Sequence, residues 1–190
     1  MRCFIAIDID ESVKEELAGL QKELAGALGI HRGDVKWVRS EAMHLTLKFL
    51  GEIRDRDSVD VCNVAKAVAS RHESFEIEIA TVGHFGGRSA RVLWVGAGLD
   101  CKPLAALHDA LEGELETIGF VREGRKFSGH LTLCRIRNTK AGHKLAELAG
   151  QYRDYDLGSI RAGAICVYQS QLTPGGPVYT LLGKYAMKPT

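Results

Sequence analysis

His44-Leu45-Thr46-Leu47-Lys48-Phe49-Leu50 and His130-Leu131-Thr132-Leu133-Cys134-Arg135 open on the same tetrapeptide, 86 residues apart. From the chain's own composition a second His-Leu-Thr-Leu arises by accident about 3 times in 1,000, so the pair reads as an internal repeat. Dense Leu and Phe without a helix cap mark the first stretch as a buried strand, and the second follows by its likeness. Residues two apart in a strand share a face. His44 and Thr46 therefore point one way while Leu45 and Leu47 point into a core, and His130 and Thr132 do the same.

Outward from these strands the flanks repeat as well. Cys3, Ile5 and Ile7 alternate with Phe4, Ala6 and Asp8 as a strand, and Asp10 stands as the cap of a helix carrying Val13, Leu17, Leu20, Leu24 and Leu28, ended by Gly29. In the second half Val92 to Val95 is the matching strand, and Pro103 opens a helix of Leu104, Leu107, Leu111, Leu115 and Ile118 before Gly119. Ile5 lies 39 residues before His44, and Leu93 lies 37 before His130. Each motif is followed by a helix, over Asp57 to His72 and around Leu145, Leu148 and Tyr152. A strand comes next, Phe75 to Ala80 and then Ile160 to Tyr168. A turn at Pro174-Gly175-Gly176 and a strand from Val178 to Met187 close the chain.

These elements make an α+β fold, a single domain over residues 1–190. It is a duplicated two-lobe fold of strand-helix-strand-helix-strand units, with pseudo-repeats of approximately 1–85 and 88–190. Pseudo-twofold symmetry would set a central cleft between two sheets.

Composition narrows the function. With 45% hydrophobic and 26% charged residues the chain is an ordinary globular one, and its net charge of +1 gives no bulk grip on nucleic acid, so any such contact must be local. No apolar run approaches the roughly 20 residues that span a bilayer. A cytoplasmic monomer without membrane contact is expected. The five cysteines form no C-x-x-C pair, and most read as small core residues. No carboxylate stands at ligand spacing from either motif histidine, and the Gly pairs 86–87 and 175–176 are turns, so neither a metal nor another cofactor is expected.

Two imidazoles facing one cleft can supply a neutral base and a protonated acid at once, which suits in-line displacement at phosphorus. The candidate catalytic residues are His44 and His130. Thr46 and Thr132 are the candidate substrate-binding residues, donating hydrogen bonds to non-bridging phosphate oxygens. His31 and His72 lie in polar stretches and His108 and His143 on helical segments. His84, in a Gly83 to Gly87 loop, stays open as a cleft residue. Strict alternation would also put Cys134 on the face of His130, which leaves open a Cys-His nucleophile, although the thiol would lie side by side with the imidazole.

At these residues the sequence resembles the 2H phosphoesterase superfamily, and within it the RNA 2′,3′-cyclic phosphodiesterases also called 2′-5′ RNA ligases. The likeness runs nearly end to end, through Arg2 to Ile7, His44 to Glu52, Arg91 to Gly96, His130 to Arg135 and Tyr168 to Tyr179. It implies metal-independent hydrolysis of RNA 2′,3′-cyclic phosphate ends to 2′-phosphates, tRNA fragments being candidate partners. It also implies His44 as proton donor, His130 as proton acceptor and Arg135 as a phosphate contact, with ligation as the reverse reaction. Gly129 and Ala90 stand where the family often has Pro, which leaves loop rigidity open. Arg135 can share the face of His130 only if the strand bulges or ends between them. Phe4 and Phe127 are candidate base-stacking surfaces. The alternatives are a relative acting on another cyclic phosphate or a 2′-5′ oligonucleotide, or a non-catalytic module binding RNA ends or nucleotides.

Overall fold

Alternating apolar residues build β1 (Arg2–Ile7), whose residues from Cys3 onward are all buried. It leads into α1 (Glu11–Leu28), which puts Val13, Leu17, Leu20 and Leu24 into the core and ends at Gly29 with φ 53°, the left-handed turn that glycine adopts without strain. Asp10 holds the cap position, but its side chain makes no capping bond. Only its carbonyl engages, accepting from the Lys14 N–H. The computed structural model describes residues 1–29 and 33–190, so His31 lies outside the described residues, as does the side chain of Leu28.

β2 (Val35–Trp37), β3 (Leu45–Glu52), α2 (Asp57–Ala69) and β4 (Phe75–Phe85) complete the first half. β5 (Val92–Ala97), α3 (Lys102–Thr117), β6 (His130–Ile136), α4 (Thr139–Gln151), β7 (Asp156–Ala162), β8 (Ala164–Thr173) and β9 (Gly176–Ala186) follow. Two expectations change. The single strand over Ile160 to Tyr168 is two strands parted at Gly163, because β7 and β8 belong to different sheets. The Gly83 to Gly87 loop is mostly strand, with β4 running on to Phe85 and carrying His84.

The strands form two antiparallel sheets, ordered β3-β1-β8-β9 and β2-β6-β5-β4-β7. β1 and β3 correspond to β5 and β6 of the second half. Beside β1, however, lies β8 from the second half, and beside β5 lies β4 from the first. Each half thus lends two strands to the other's sheet, β8 and β9 one way and β2 and β4 the other, and the repeat boundary near residue 86 divides the sequence but not the sheets. One continuous apolar core joins both sheets to all four helices. Among the described residues no helix is long and apolar enough to cross a membrane.

Candidate active site

The two motif strands carry the same irregularity. In the pairing of β1 with β3, Ala6 faces Thr46 and Ile5 faces Lys48, so Leu47 is an extra residue. In the pairing of β5 with β6, Trp94 faces Thr132 and Leu93 faces Cys134, so Leu133 is the extra one. Each bulge sits three residues after its histidine and reverses the alternation beyond it. The extra residue and the one after it are buried together, Leu47 with Lys48 and Leu133 with Cys134, while Phe49 and Arg135 turn outward.

The result is one cavity of about 570 Å³ lined by His44, Thr46 and Phe49 from the first motif and His130, Thr132 and Arg135 from the second. All five site residues named from sequence meet there. The bulge that Arg135 required is present. The same bulge puts Cys134 on the core side, where burial pushes its thiol up to about 12, so the thiol-nucleophile reading falls. Phe127 packs on His108 with ring centroids 4.1 Å apart and does not line the cavity. Phe4 does line it, but its ring is occupied by His44 and Tyr168 at 5.0 and 5.4 Å. The exposed aromatic ring there is Phe49, at 58% accessibility. His84 is not among the lining residues.

The two imidazoles have different surroundings. The His44 ring lies against both Phe4 and Tyr168, at 5.0 and 5.4 Å and nearly parallel to each, with Tyr179 edge-on at 4.8 Å. Burial drives its pKa down to about 4, against the pull of Asp8 and a hydrogen bond with the Met43 backbone, and Lys14 lowers it further. Asp8 accepts from the Tyr168 hydroxyl at 2.6 Å, from Lys184 Nζ at 3.1 Å and from Cys166 Sγ at 3.3 Å. Burial works to raise the Asp8 pKa, but these hydrogen bonds outweigh it and hold the carboxyl below its ordinary value. His130 sits against Phe85, edge-on at 5.1 Å, and places Nδ1 2.8 Å from the Ser128 carbonyl. A carbonyl only accepts, so Nδ1 carries the hydrogen and Nε2 keeps a free lone pair when the ring is neutral.

The burial of His44 has a consequence for stability. Between pH 6.5 and about 4 the unfolded chain takes up a proton at His44 that the folded chain refuses, so stability falls through that window and levels off below it. A loss on the order of 2 kcal/mol is expected from this group. Thermal unfolding at pH 7 and pH 4.5 should show a smaller acid loss in His44→Asn than in the native chain. An equal loss in both would mean that His44 is not desolvated.

Charge in the cavity is one-sided. Arg2, Lys36, Arg39, Arg135 and Arg137 line it, and among the described residues no carboxylate does. The near-zero net charge therefore conceals a local cationic cleft. Arg39 also donates to the Pro177 carbonyl at 3.4 Å, tying β2's outgoing segment to the β8–β9 turn.

Of the two positions lacking a proline, Ala90 uses the N–H that proline lacks, donating to the Gly142 carbonyl at 3.1 Å. Gly129 lies against β5 so closely that a Cβ would collide with the Ala97 carbonyl oxygen. Sequence reasoning missed Phe49, Asp8 and the Ser128 carbonyl. None of the three has a signal in the sequence, since strand alternation puts Phe49 on the core face with Leu45 and Leu47.

The sequence profile of LigT-like phosphoesterases matches residues 7–94 and 100–179. The chain belongs to this family. Among LigT-like relatives, one named RNA 2′,3′-cyclic phosphodiesterase from Methanothermobacter thermautotrophicus is 34% identical over 181 residues, covering 95% of each chain. Another of that name from Methanocaldococcus jannaschii is 31% identical, covering 97% of this chain and all of its own. A solved protein of Thermus thermophilus superposes with TM-score 0.82 at 25% identity, over 100% of this chain and 99% of its own. Escherichia coli LigT complexed with 3′-AMP has TM-score 0.76 at 22% identity, covering 98% and 97%. The α+β, two-sheet architecture is thus that of the LigT-like phosphoesterases.

Proposed function

We propose that this chain hydrolyses RNA 2′,3′-cyclic phosphate ends to 2′-phosphates, with His44 and His130 as the catalytic residues. The observation that carries the reading is the convergence of His44, Thr46, His130, Thr132 and Arg135 on one cavity whose charged lining, among the described residues, is wholly cationic. The relatives' names point the same way. Residues 1–190 act as one domain, two pseudo-repeats completing each other's sheets.

In the reaction His130 Nε2 takes a proton from a water aligned on phosphorus. The new P–O bond forms as the bond to O3′ breaks, and His44 gives its proton to O3′. Thr46, Thr132 and Arg135 hold the non-bridging oxygens as charge builds on them. The products are a 2′-phosphate and a free 3′-hydroxyl, with His130 left protonated and His44 neutral until solvent resets them. Burial favours the neutral form of His44, and an anionic phosphate beside it raises its affinity for the proton it must donate. Ligation is the same step with an RNA 5′-hydroxyl in place of water, forming a 2′-5′ phosphodiester as O3′ leaves, and its reversal cleaves that linkage back to the cyclic phosphate.

The test is product analysis after incubation with an oligonucleotide ending in a 2′,3′-cyclic phosphate. A 2′-phosphate product is expected, at a rate unchanged by chelator. KM should rise with salt, and removing Lys36 or Arg137 should reduce that slope by about 0.7 for each single-strand phosphate no longer neutralised. A 3′-phosphate product, loss of the rate on chelation, or tight binding without turnover would sink the proposal. Faster turnover of a different cyclic phosphate or of a 2′-5′ oligonucleotide would move the substrate assignment.

A further inference from the structure

Lys48 and Glu112 lie away from the cleft lining and are buried to 4% and 5% accessibility, with Lys48 Nζ 2.6 Å from Glu112 Oε1. That approach is an ion contact rather than an aligned hydrogen bond, since Oε1 has no hydrogen-bond partner of its own. The aligned bonds run elsewhere. Lys48 Nζ donates to the Val121 carbonyl at 2.9 Å, and Glu112 Oε2 accepts from the Glu123 N–H at 3.1 Å. One turn earlier on α3, His108 sets Nε2 3.7 Å from Glu112 and stacks on Phe127. These contacts all reach residues 120–129, a segment with no helix or strand of its own. The same segment supplies the Ser128 carbonyl that holds His130 Nδ1.

A buried ion pair is a poor source of net stability, because desolvating two charges offsets their attraction. What this pair provides is placement, capturing one carbonyl and one N–H of an irregular segment at defined points. It also exists in only one half. Lys48 stands four residues after His44, and the residue four after His130 is the uncharged Cys134. The pair therefore breaks the symmetry between the two imidazoles.

We propose that Lys48 and Glu112 are positioning residues for His130. The first motif's own strand, together with α3, clamps residues 120–129 so that Ser128 keeps His130 in its Nδ1–H tautomer with Nε2 free. The proposal rests on the reading of His130 as proton acceptor.

The test replaces both partners at once, as Lys48→Met with Glu112→Met, because removing one would strand the other charge. With folding checked by thermal unfolding, kcat on the cyclic-phosphate oligonucleotide is expected to fall about tenfold through misplacement of the base. KM should stay within about twofold, since substrate contacts are untouched. The limb of the pH–rate profile belonging to the base should move, and ¹⁵N NMR of His130 should lose its single Nδ1–H signature. Trypsin should cut sooner after Arg122, Arg125 or Lys126. A folded double variant with native kcat, pH profile and tautomer overturns the proposal. Should that variant fail to fold, Lys48→Met with Glu112→Gln removes both charges and the Val121 contact while keeping an acceptor for the Glu123 N–H, and an unchanged tautomer there is equally fatal. The tautomer readout needs no turnover, so an inactive native protein would refute the hydrolytic reading and leave the clamp to be decided by NMR.

Discussion

His44→Ala and His130→Ala each lower kcat for a cyclic-phosphate end by about 10²–10⁴-fold, the ordinary worth of one general acid or base. The double variant is little worse than the poorer single one, because an acid and a base serving one transition state act as a unit. The two are told apart by a substrate in which sulfur replaces O3′. A thiolate leaves without a proton, so that substrate should restore His44→Ala and not His130→Ala. Rescue of His130→Ala instead would reverse the assignment, which the burial of His44 alone would favour. Native rates in both single variants would remove the paired-imidazole mechanism altogether.

Glu112→Ala costs about 3–5 kcal/mol of stability, because it leaves Lys48 charged inside the protein with only the Val121 carbonyl for company. By contrast, the paired exchange of Lys48 and Glu112 for methionines is close to neutral in stability, since both charges go and similar volume stays. Denaturant unfolding of the two variants side by side measures the difference. If Glu112→Ala unfolds with the native midpoint, the pair is solvated and the buried-ion argument fails. The contrast also separates the pair's two effects, since the exchange that spares stability is the one expected to release His130.

Much of this was legible without coordinates. Helix faces followed from the three- and four-residue spacing of Val13, Leu17, Leu20 and Leu24, and the motif strands from their leucines. His44 with Thr46 and His130 with Thr132 were placed on shared faces by strand alternation alone. Where reading by alternation stopped was at Leu47 and Leu133. Local periodicity carries no record of an extra residue, because a bulge is a mismatch between two strands and only one of them is being read. Beyond each bulge strict alternation would turn Phe49 and Arg135 from the cleft and put Lys48 and Cys134 on the face of the histidines, and both pairs come out reversed. The split at Gly163 was hidden for a similar reason, since β7 and β8 are each good strand sequence and differ only in the neighbour they pair with.

The sequence by itself determined which chemistry the chain carries, in two histidines and two threonines on duplicated strands and a set of scattered cations. Tertiary structure decided how those groups are used. It gathered the cations around one cavity, desolvated His44 among aromatic rings, and gave His130 a carbonyl that selects its tautomer. The division has a physical cause: side-chain identity and strand alternation are local properties. Desolvation, electrostatic clustering and tautomer choice depend on atoms brought together from distant parts of the chain, as Lys48, Glu112 and Ser128 are around the approach to His130.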